Sequence, residues 1–399
     1  MAVLLLSLAC APSETTDEGG YPPRTRPDRT HDETAADDTG EPADTEDTHE
    51  QDTDEPDDTD TTPPDDTDTT PPDDTDTHVE EEPCPADVVC VTTFPYEHTS
   101  TTTGAARDDW DSYGCASSTD ESGPEVLYRV DVPEDGFVAL TLTDVASGAD
   151  VDVHLLASED PDDCVDRGHE IAGGFVEAGR YWVVADTWVN STGDEKDGAY
   201  TLVIGLTSVD GLVGEGLAAD FAEDSLHAFD VAWDRGDTDR LQYAVTDFSM
   251  HSSDERMWVL DLTDGSVLHN IHVAHGEGSS SGDSAVADTF SNTEDSHQSS
   301  LGMVVGAEEY TGTYGDSMRL DGLEDGFNDA VRDRAIVVHP WQGSRAEYVA
   351  RAGETAETWG CPGIDDRLSA DVIDQLADGG LLFFWYPDAE WLRESVYLR

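Results

Sequence analysis

Positive charge is what this sequence has least of. Its 399 residues carry 19 Lys and Arg against 91 Asp and Glu, a formal net charge of −72. Nucleic-acid binding and charge-held association with an anionic membrane both need clustered Lys/Arg, and there is none, so neither is expected. Long apolar runs are also missing. No stretch approaches the 18 residues of a spanning helix, so contact with a membrane is expected only through a lipid anchor. Aromatics are nearly absent from residues 11–83, where Tyr21 stands alone among 28 acidic and 3 basic residues. Such a segment buries too little apolar surface to offset its chain entropy. Within it Thr61–Asp68 repeats as Thr69–Asp76. Its prolines and mutually repelling carboxylates predict an extended, disordered Asp/Thr/Pro tether. The acidity of the rest fits a saline habitat or loosely held cations equally well.

Residues 1–10 (MAVLLLSLAC) are apolar and end at Cys10. An export signal has a basic start, an apolar centre and small residues at the cut. The basic start is lacking here and would lie upstream of Met1. The small residue before Cys10 and the polar tether after it resemble a bacterial lipoprotein signal, with Cys10 as the lipid-attachment residue. Ser7 stands where such signals usually carry Leu, and an ordinary cleaved signal is the alternative. A chance apolar start is the other alternative; with a signal of either kind the chain is expected to be exported to the bacterial cell envelope, periplasm-facing or at the surface, where disulfides form. The cysteines are Cys10, Cys84, Cys90, Cys115, Cys164 and Cys361. With Cys10 lipidated, the middle four can pair in three ways. Cys84–Cys90 with Cys115–Cys164 is the expected pairing, which leaves Cys361 alone.

From Cys84 onward the composition changes. Alternating stretches at Val126–Val132, Phe137–Thr143, Val151–Leu156, Tyr181–Ala185 and Tyr200–Ile204 are separated by turn signals such as Pro133–Gly136. Short strands at close spacing predict a β-sandwich over 84–207. Gly123–Leu142, Gly179–Val184 and Gly198–Leu202 resemble the pre-peptidase-type β-sandwich modules of secreted bacterial enzymes. Asp150, Asp152 and His154 alternate onto one strand face, read as solvated. A Gly-rich joint at 208–217 leads to a last domain, 218–399. Strands are expected there at Arg240–Phe248, Met257–Leu262, Val267–Val273, Met303–Gly306, Ser317–Leu320, Ala335–His339 and Leu381–Tyr386, with an Asp264-Gly265 hairpin turn. Helical periodicity is confined to Asn328–Arg334 and to Asp371–Ala377, the latter capped by Ser369. The fold class is mainly β with short helices.

The lone Cys361 follows Thr358-Trp359-Gly360 and precedes Pro362. A glycine before a nucleophile permits a tight turn and lets backbone N–H groups approach a reacting oxygen. Twenty-two residues upstream, an apolar strand ends at His339. A thiol attacks as thiolate and needs a base. The minimal chemistry is therefore Cys361 as nucleophile, His339 as proton acceptor, and a thioester acyl-enzyme.

The order of strand–His339, loop and Thr358-Trp-Gly-Cys-Pro362 resembles the catalytic region of YkuD-type murein L,D-transpeptidases. The resemblance runs over about 240–388. It takes in Asp247-Phe-Ser249, Val273-Ala-His-Gly-Glu-Gly278, Ser296-His-Gln-Ser-Ser-Leu-Gly302, Leu320-Asp-Gly-Leu323, Gly326-Phe-Asn328, Arg334-Ala-Ile-Val-Val-His339 and Gly379-Gly380. It implies a β-rich, cofactor-free acyltransferase acting on peptidoglycan stem peptides. Cys361 and His339 would be catalytic, and Gly360 with the Cys361 backbone would form the oxyanion site. Thr358, Trp359, Ser299, Ser300 and Gly302 would contact substrate. The acceptor would be a second stem, a protein amine, or water, which would make the enzyme an L,D-carboxypeptidase. Two positions depart from the family: Pro340 replaces the glycine after the histidine, and Glu357 replaces an arginine near the nucleophile. A negative neighbour disfavours a thiolate, which motivates the alternative of a weakly active or non-catalytic wall-binding lipoprotein. A cation-dependent adhesin is a third reading. His269, His272 and His275 lack zinc-ligand spacing, so no metal is expected. Trp341 and Trp385 are read first as core.

Overall fold

The computed structural model describes residues 83–399. The signal-like segment, Cys10 and the tether up to residue 82 lie outside the described residues. The described chain begins with nine strands: β1 (Val88–Val91), β2 (Tyr96–Thr101), β3 (Val126–Val132), β4 (Gly136–Thr143), β5 (Val151–Leu156), β6 (Cys164–Gly168), β7 (Ile171–Val176), β8 (Gly179–Thr187) and β9 (Ala199–Ser208). They form a five-stranded sheet, β1-β3-β8-β5-β6, and a four-stranded sheet, β2-β9-β4-β7. Inward-facing Val130, Leu140, Val153, Val183, Leu202 and Ile204 are fully buried in a common core. Disulfides join Cys84 to Cys90 and Cys115 to Cys164, and Cys361 is free.

The outer face of β5 departs from its sequence reading. Asp152 and His154 are buried, not solvated. The chain between β2 and β3 covers them: the Tyr113 ring stacks on His154 at 3.7 Å, and Glu121 Oε1 lies 3.4 Å from His154 Nε2. Strand alternation reports which face a residue takes, but not whether a loop later covers that face.

The 208–217 stretch forms helix α1 (Val209–Gly214), followed by α2 (Ala219–Arg235). The long α2 is not apparent in the sequence because acids interrupt its apolar face. Phe221, Ala222, Leu226, Phe229, Ala232 and Trp233 are nonetheless buried at helical spacing. Gly236 ends the helix in the left-handed region (φ 73°), where a side chain would be strained. Through α2 the two parts share a core. Phe229 packs on Phe137 of β4 with ring centroids 4.9 Å apart and on Tyr243 at 5.0 Å. Each large apolar side chain so buried contributes roughly 1.5–3 kcal/mol. The Phe175 N–H donates to Asp230 Oδ1 (2.7 Å) and the Trp385 Nε1–H to Asp224 Oδ2 (2.7 Å).

The remaining elements are β10 (Gln242–Asp247), β11 (Met257–Asp261), β12 (Ser266–Ile271), β13 (Gly302–Gly312), β14 (Gly315–Gly322), β15 (Val337–Pro340), α3 (Ala346–Ala352), β16 (Gly363–Ile364), α4 (Ser369–Leu376), β17 (Leu381–Trp385) and α5 (Ala389–Glu394). One eight-stranded sheet runs β12-β11-β10-β17-β13-β14-β15-β16. Residues 328–334 form turns rather than a helix. Ser369 is the first residue of α4, and no side chain caps that helix. None of the described helices is long and apolar enough to cross a membrane.

Candidate active site

The short strand β16 and the residues before it lie between two backbone neighbours. On one side β15 pairs in parallel, His339 opposite Gly363 and Pro340 opposite Ile364. On the other side Val273 bridges Ile364 and Gly276 bridges Thr358. The turn at 358–361 is thereby held from both flanks, and Cys361 sits in it.

Gly360 makes the turn possible. Its φ of +111° is open to glycine alone, and a Cβ there would meet Gln298 O at 2.7 Å. Thr358 staples the turn: its hydroxyl lies 2.7 Å from Cys361 O, to which it donates, and accepts the Gly360 N–H at 3.3 Å. Ser299 closes it from behind, donating to Gly360 O (3.2 Å) and accepting the Gly276 N–H (3.1 Å). A small cavity lined by Ser299, Ser300, Ile336, Gly360 and Pro362 lies at this back wall.

Cys361 is half-buried, and its thiol donates to Ala335 O at 3.6 Å. Ala335 occupies the left-handed region (φ 55°), uncommon for a residue with a side chain. Burial pushes the Cys361 thiol up, while a Val337 backbone hydrogen bond and the Arg334 charge oppose it. In the sequence Arg334 stands only as one letter of a motif. It is half-buried and held entirely by neutral acceptors: Ser291 O (2.5 Å), Ser300 Oγ (2.7 Å), Ser296 Oγ (3.1 Å) and Gln298 O (2.6 Å). Its charge is thus not cancelled by a carboxylate near the thiol. The signal that could have found it is an arginine at the entry to the histidine strand in a chain so poor in cations.

His339 is 3% exposed. Its Nδ1 lies 2.9 Å from Pro340 O. A carbonyl only accepts, so Nδ1 carries the proton and the neutral ring's lone pair is on Nε2. Burial lowers the His339 pKa, with the Pro340 contact opposing, so the ring is held in its neutral, basic form. Tyr314 stacks on it at 4.6 Å and Trp341 meets it edge-on at 5.6 Å. Among the described residues no hydrogen bond joins His339 to Cys361, although His339 pairs with Gly363, two residues beyond the cysteine.

The other sequence-selected residues separate into distinct places. Trp359 is 70% exposed beside the nucleophile and stacks on His297, with centroids 4.7 Å apart and planes at 6°. Ser299, Ser300 and Thr358 are buried, and their hydroxyls are engaged inside the wall, so they brace the turn. Gly302 starts β13 away from the turn, where a Cβ would collide with the Glu324 carboxylate. Glu357 bears on other carboxylates rather than on the thiol. Burial first, then Glu354 and Glu277, raise its pKa, and Ser280 lowers it. His275 is buried, accepts from Arg256 at Nδ1 (2.7 Å), and is pushed down to about 3 by burial and the Arg256 charge. His272 contacts Ser253 O instead (3.0 Å). Trp385 is core, and Trp341 donates to Ala356 O (2.7 Å). Donor atoms of Asp150, Asp152 and His169 do gather within 4.8 Å on the sandwich, as an ion-paired cluster.

Residues 215–385 match the family model described as L,D-transpeptidase catalytic domain. That span begins upstream of the motifs read from sequence and includes α2. Among solved structures, an L,D-transpeptidase from Mycobacterium smegmatis is 11% identical, covering 64% of this chain and 93% of that chain, with a TM-score of 0.24. The pre-peptidase C-terminal domain of a Bacillus anthracis collagenase is 13% identical over 31% of this chain and 99% of that chain, with a TM-score of 0.20. PliG of Aeromonas hydrophila, a periplasmic inhibitor of g-type lysozyme, is 9% identical over 30% and 95%, also at 0.20. No curated protein matches. The free thiol, its glycine turn and the neutral histidine all fall inside residues 215–385, the span that matches the L,D-transpeptidase catalytic-domain model.

Proposed function

We propose that the protein is a cysteine-dependent acyltransferase of the cell envelope acting on peptidoglycan stem peptides. The observation that carries this reading is a free thiol on a glycine turn, flanked by a histidine whose Nδ1 proton is held by Pro340 O and whose Nε2 is left basic. In the first step the Cys361 sulfur bonds to the carbonyl carbon of the diamino-acid residue, and the thiol proton passes to His339. The C–N bond to the terminal D-residue breaks, and the leaving amine takes that proton. The product is a thioester. In the second step a neutral acceptor amine bonds to the same carbon, the C–S bond breaks, and the proton lost by the amine nitrogen passes through His339 to the thiolate. Among the described residues the Cys361 N–H makes no hydrogen bond, so it is free to receive the oxyanion. The Gly360 N–H is engaged by Thr358. Gly360 therefore supplies the turn rather than a donor.

A raised thiol and the absence of a resting thiol–imidazole bond favour a second reading, a stem-peptide-binding envelope protein with little turnover. Catalytic hydrogen bonds in unliganded enzymes are often long and tighten only with substrate, so the enzymatic reading stands first. The test compares wild type with Cys361→Ala, each incubated with purified tetrapeptide muropeptides or with a carbapenem and followed by mass spectrometry. Release of the D-residue and a covalent adduct are expected from wild type alone. If wild type yields neither, the enzymatic reading fails and the binding reading replaces it.

A further inference from the structure

The two flanks of the nucleophile turn differ in chemistry. The β15 flank presents His339, Tyr314 and Trp341, rings without formal charge while His339 is neutral. The opposite flank presents Trp359, His297, Glu277 and Glu357. Trp359 leaves most of its indole in solvent, unusual for so large an apolar ring. Its posture is fixed: the ring lies flat on His297, and His297 Nδ1 is 2.7 Å from Glu277 Oε1. The His297 backbone is in the left-handed region (φ 55°), a conformation strained for a non-glycine residue. The Gly278 N–H holds it there by donating to His297 O at 3.0 Å. Among the described residues no Lys or Arg pairs with Glu277, Glu354 or Glu357. A braced aromatic face beside carboxylates that no Lys or Arg pairs suits a cation, and alkylammonium groups bind such faces.

We infer that Trp359, braced by His297 and Glu277 and joined by Glu357, is the docking site for the side-chain ammonium of the acyl acceptor, a second stem peptide. The inference rests on the acyltransferase reading and adds a direction to it: the donor occupies the His339 side, and the acceptor, docked as an ammonium on the Trp359 side, releases one proton to solvent before its neutral nitrogen attacks. Glu357 then has a role of its own, since an arginine there would repel the acceptor.

Two measurements separate this inference from the reading beneath it. In the Cys361→Ala protein, calorimetric titration compares a tetrapeptide stem bearing a free side-chain amine with the same stem acetylated there. The free amine should bind about tenfold more tightly, and E277Q/E357Q or W359A should remove that preference, while W359F keeps most of it. In the protein with its thiol intact, the share of acyl-enzyme ending on amine rather than water should fall about tenfold in E277Q/E357Q. A lysine-containing peptide tried as acceptor tests the protein-amine source. If it competes equally with the stem, the stem assignment is wrong. Equal binding of free and acetylated stems overturns the inference even where acylation proceeds. Amine preference without any acylation would instead sustain this site and sink the enzyme.

Discussion

Two regions of this molecule bury ionisable groups, and they do so to opposite ends. On the sandwich, Tyr113 donates to Asp186, and Arg167 reaches both Glu121 (3.2 Å) and Asp152. Burial, with Glu125 and Glu121 nearby, pushes Asp186 up to about 9, and burial drives His154 down to about 3. At the nucleophile turn burial acts in the same way, upward for Cys361 and downward for His339. Yet the sandwich groups face one another beneath a covering loop, whereas the nucleophile turn carries a free sulfur and the strand paired with its end carries a histidine with a basic nitrogen. A perturbed pKa reports desolvation wherever it occurs. A site additionally needs a reactive atom with unused bonding capacity that a substrate can reach.

The sharpest way to break that comparison is Cys361→Ala. It should abolish the carbapenem adduct entirely, whereas Tyr113→Phe should leave adduct formation intact. If the sandwich variant, still folded, lost the adduct, the division between the two regions would be wrong. Next in size, His339→Gln should slow acylation by roughly 10²–10⁴-fold, the usual worth of a general base, measured as the time course of adduct mass. The sign of the pH dependence follows from the histidine. Its pKa lies below the ordinary value near 6.5, so the base stays neutral as pH falls through 6.5. The acid limb of the acylation rate should therefore lie below that pH. An acid limb above 6.5 would mean that His339 is not the titrating group.

Much of this site is legible in the amino-acid sequence. The strands Val126–Val132 and Val151–Leu156 run with the bounds the alternation predicts, and the cysteine turn and histidine strand fall next to each other. The features that the sequence hides are hidden for physical reasons. Helix α2 masks its apolar face among acids because charged residues occupy its remaining surface. Ser299 and Ser300 read as cleft residues from their place in a motif. Which way a hydroxyl points is fixed by partners far along the chain, Gly360 and Arg334. The burial of Asp152 and His154 depends on a loop contributed by Tyr113 and Glu121, which no strand pattern encodes.

Arg334 sharpens the comparison from the cleft side. It is the cation that opposes burial of the thiol, so Arg334→Gln should raise the Cys361 pKa further. Iodoacetamide alkylation, which follows thiolate, should then be slower at neutral pH and reach its midpoint at higher pH than in wild type. An unchanged profile would remove Arg334 from the electrostatics and leave it as a brace for 291–300. On the sandwich side, Tyr113→Phe deletes one buried hydrogen bond and leaves Asp186 Oδ2 without its donor, while Oδ1 keeps the Thr187 N–H. A loss of about 1–3 kcal/mol in unfolding free energy is expected by denaturant titration, with no change in alkylation.

The smallest effect should come from Glu357→Arg, although its closeness to Gly360 makes it look decisive in the sequence. The charges acting on the thiol include Arg334 but not Glu357, and Glu357 is instead coupled to Glu354 and Glu277. A partly exposed charge at the edge of the cleft shifts a neighbour by only about 0.2–1 kcal/mol. Alkylation of Cys361 should therefore change by no more than a few-fold on reversing it. A large acceleration would mean that Glu357 restrains the thiol directly and is the reason its pKa is high. A small one, together with loss of preference for an amine acceptor, would assign Glu357 to the second substrate rather than to the nucleophile.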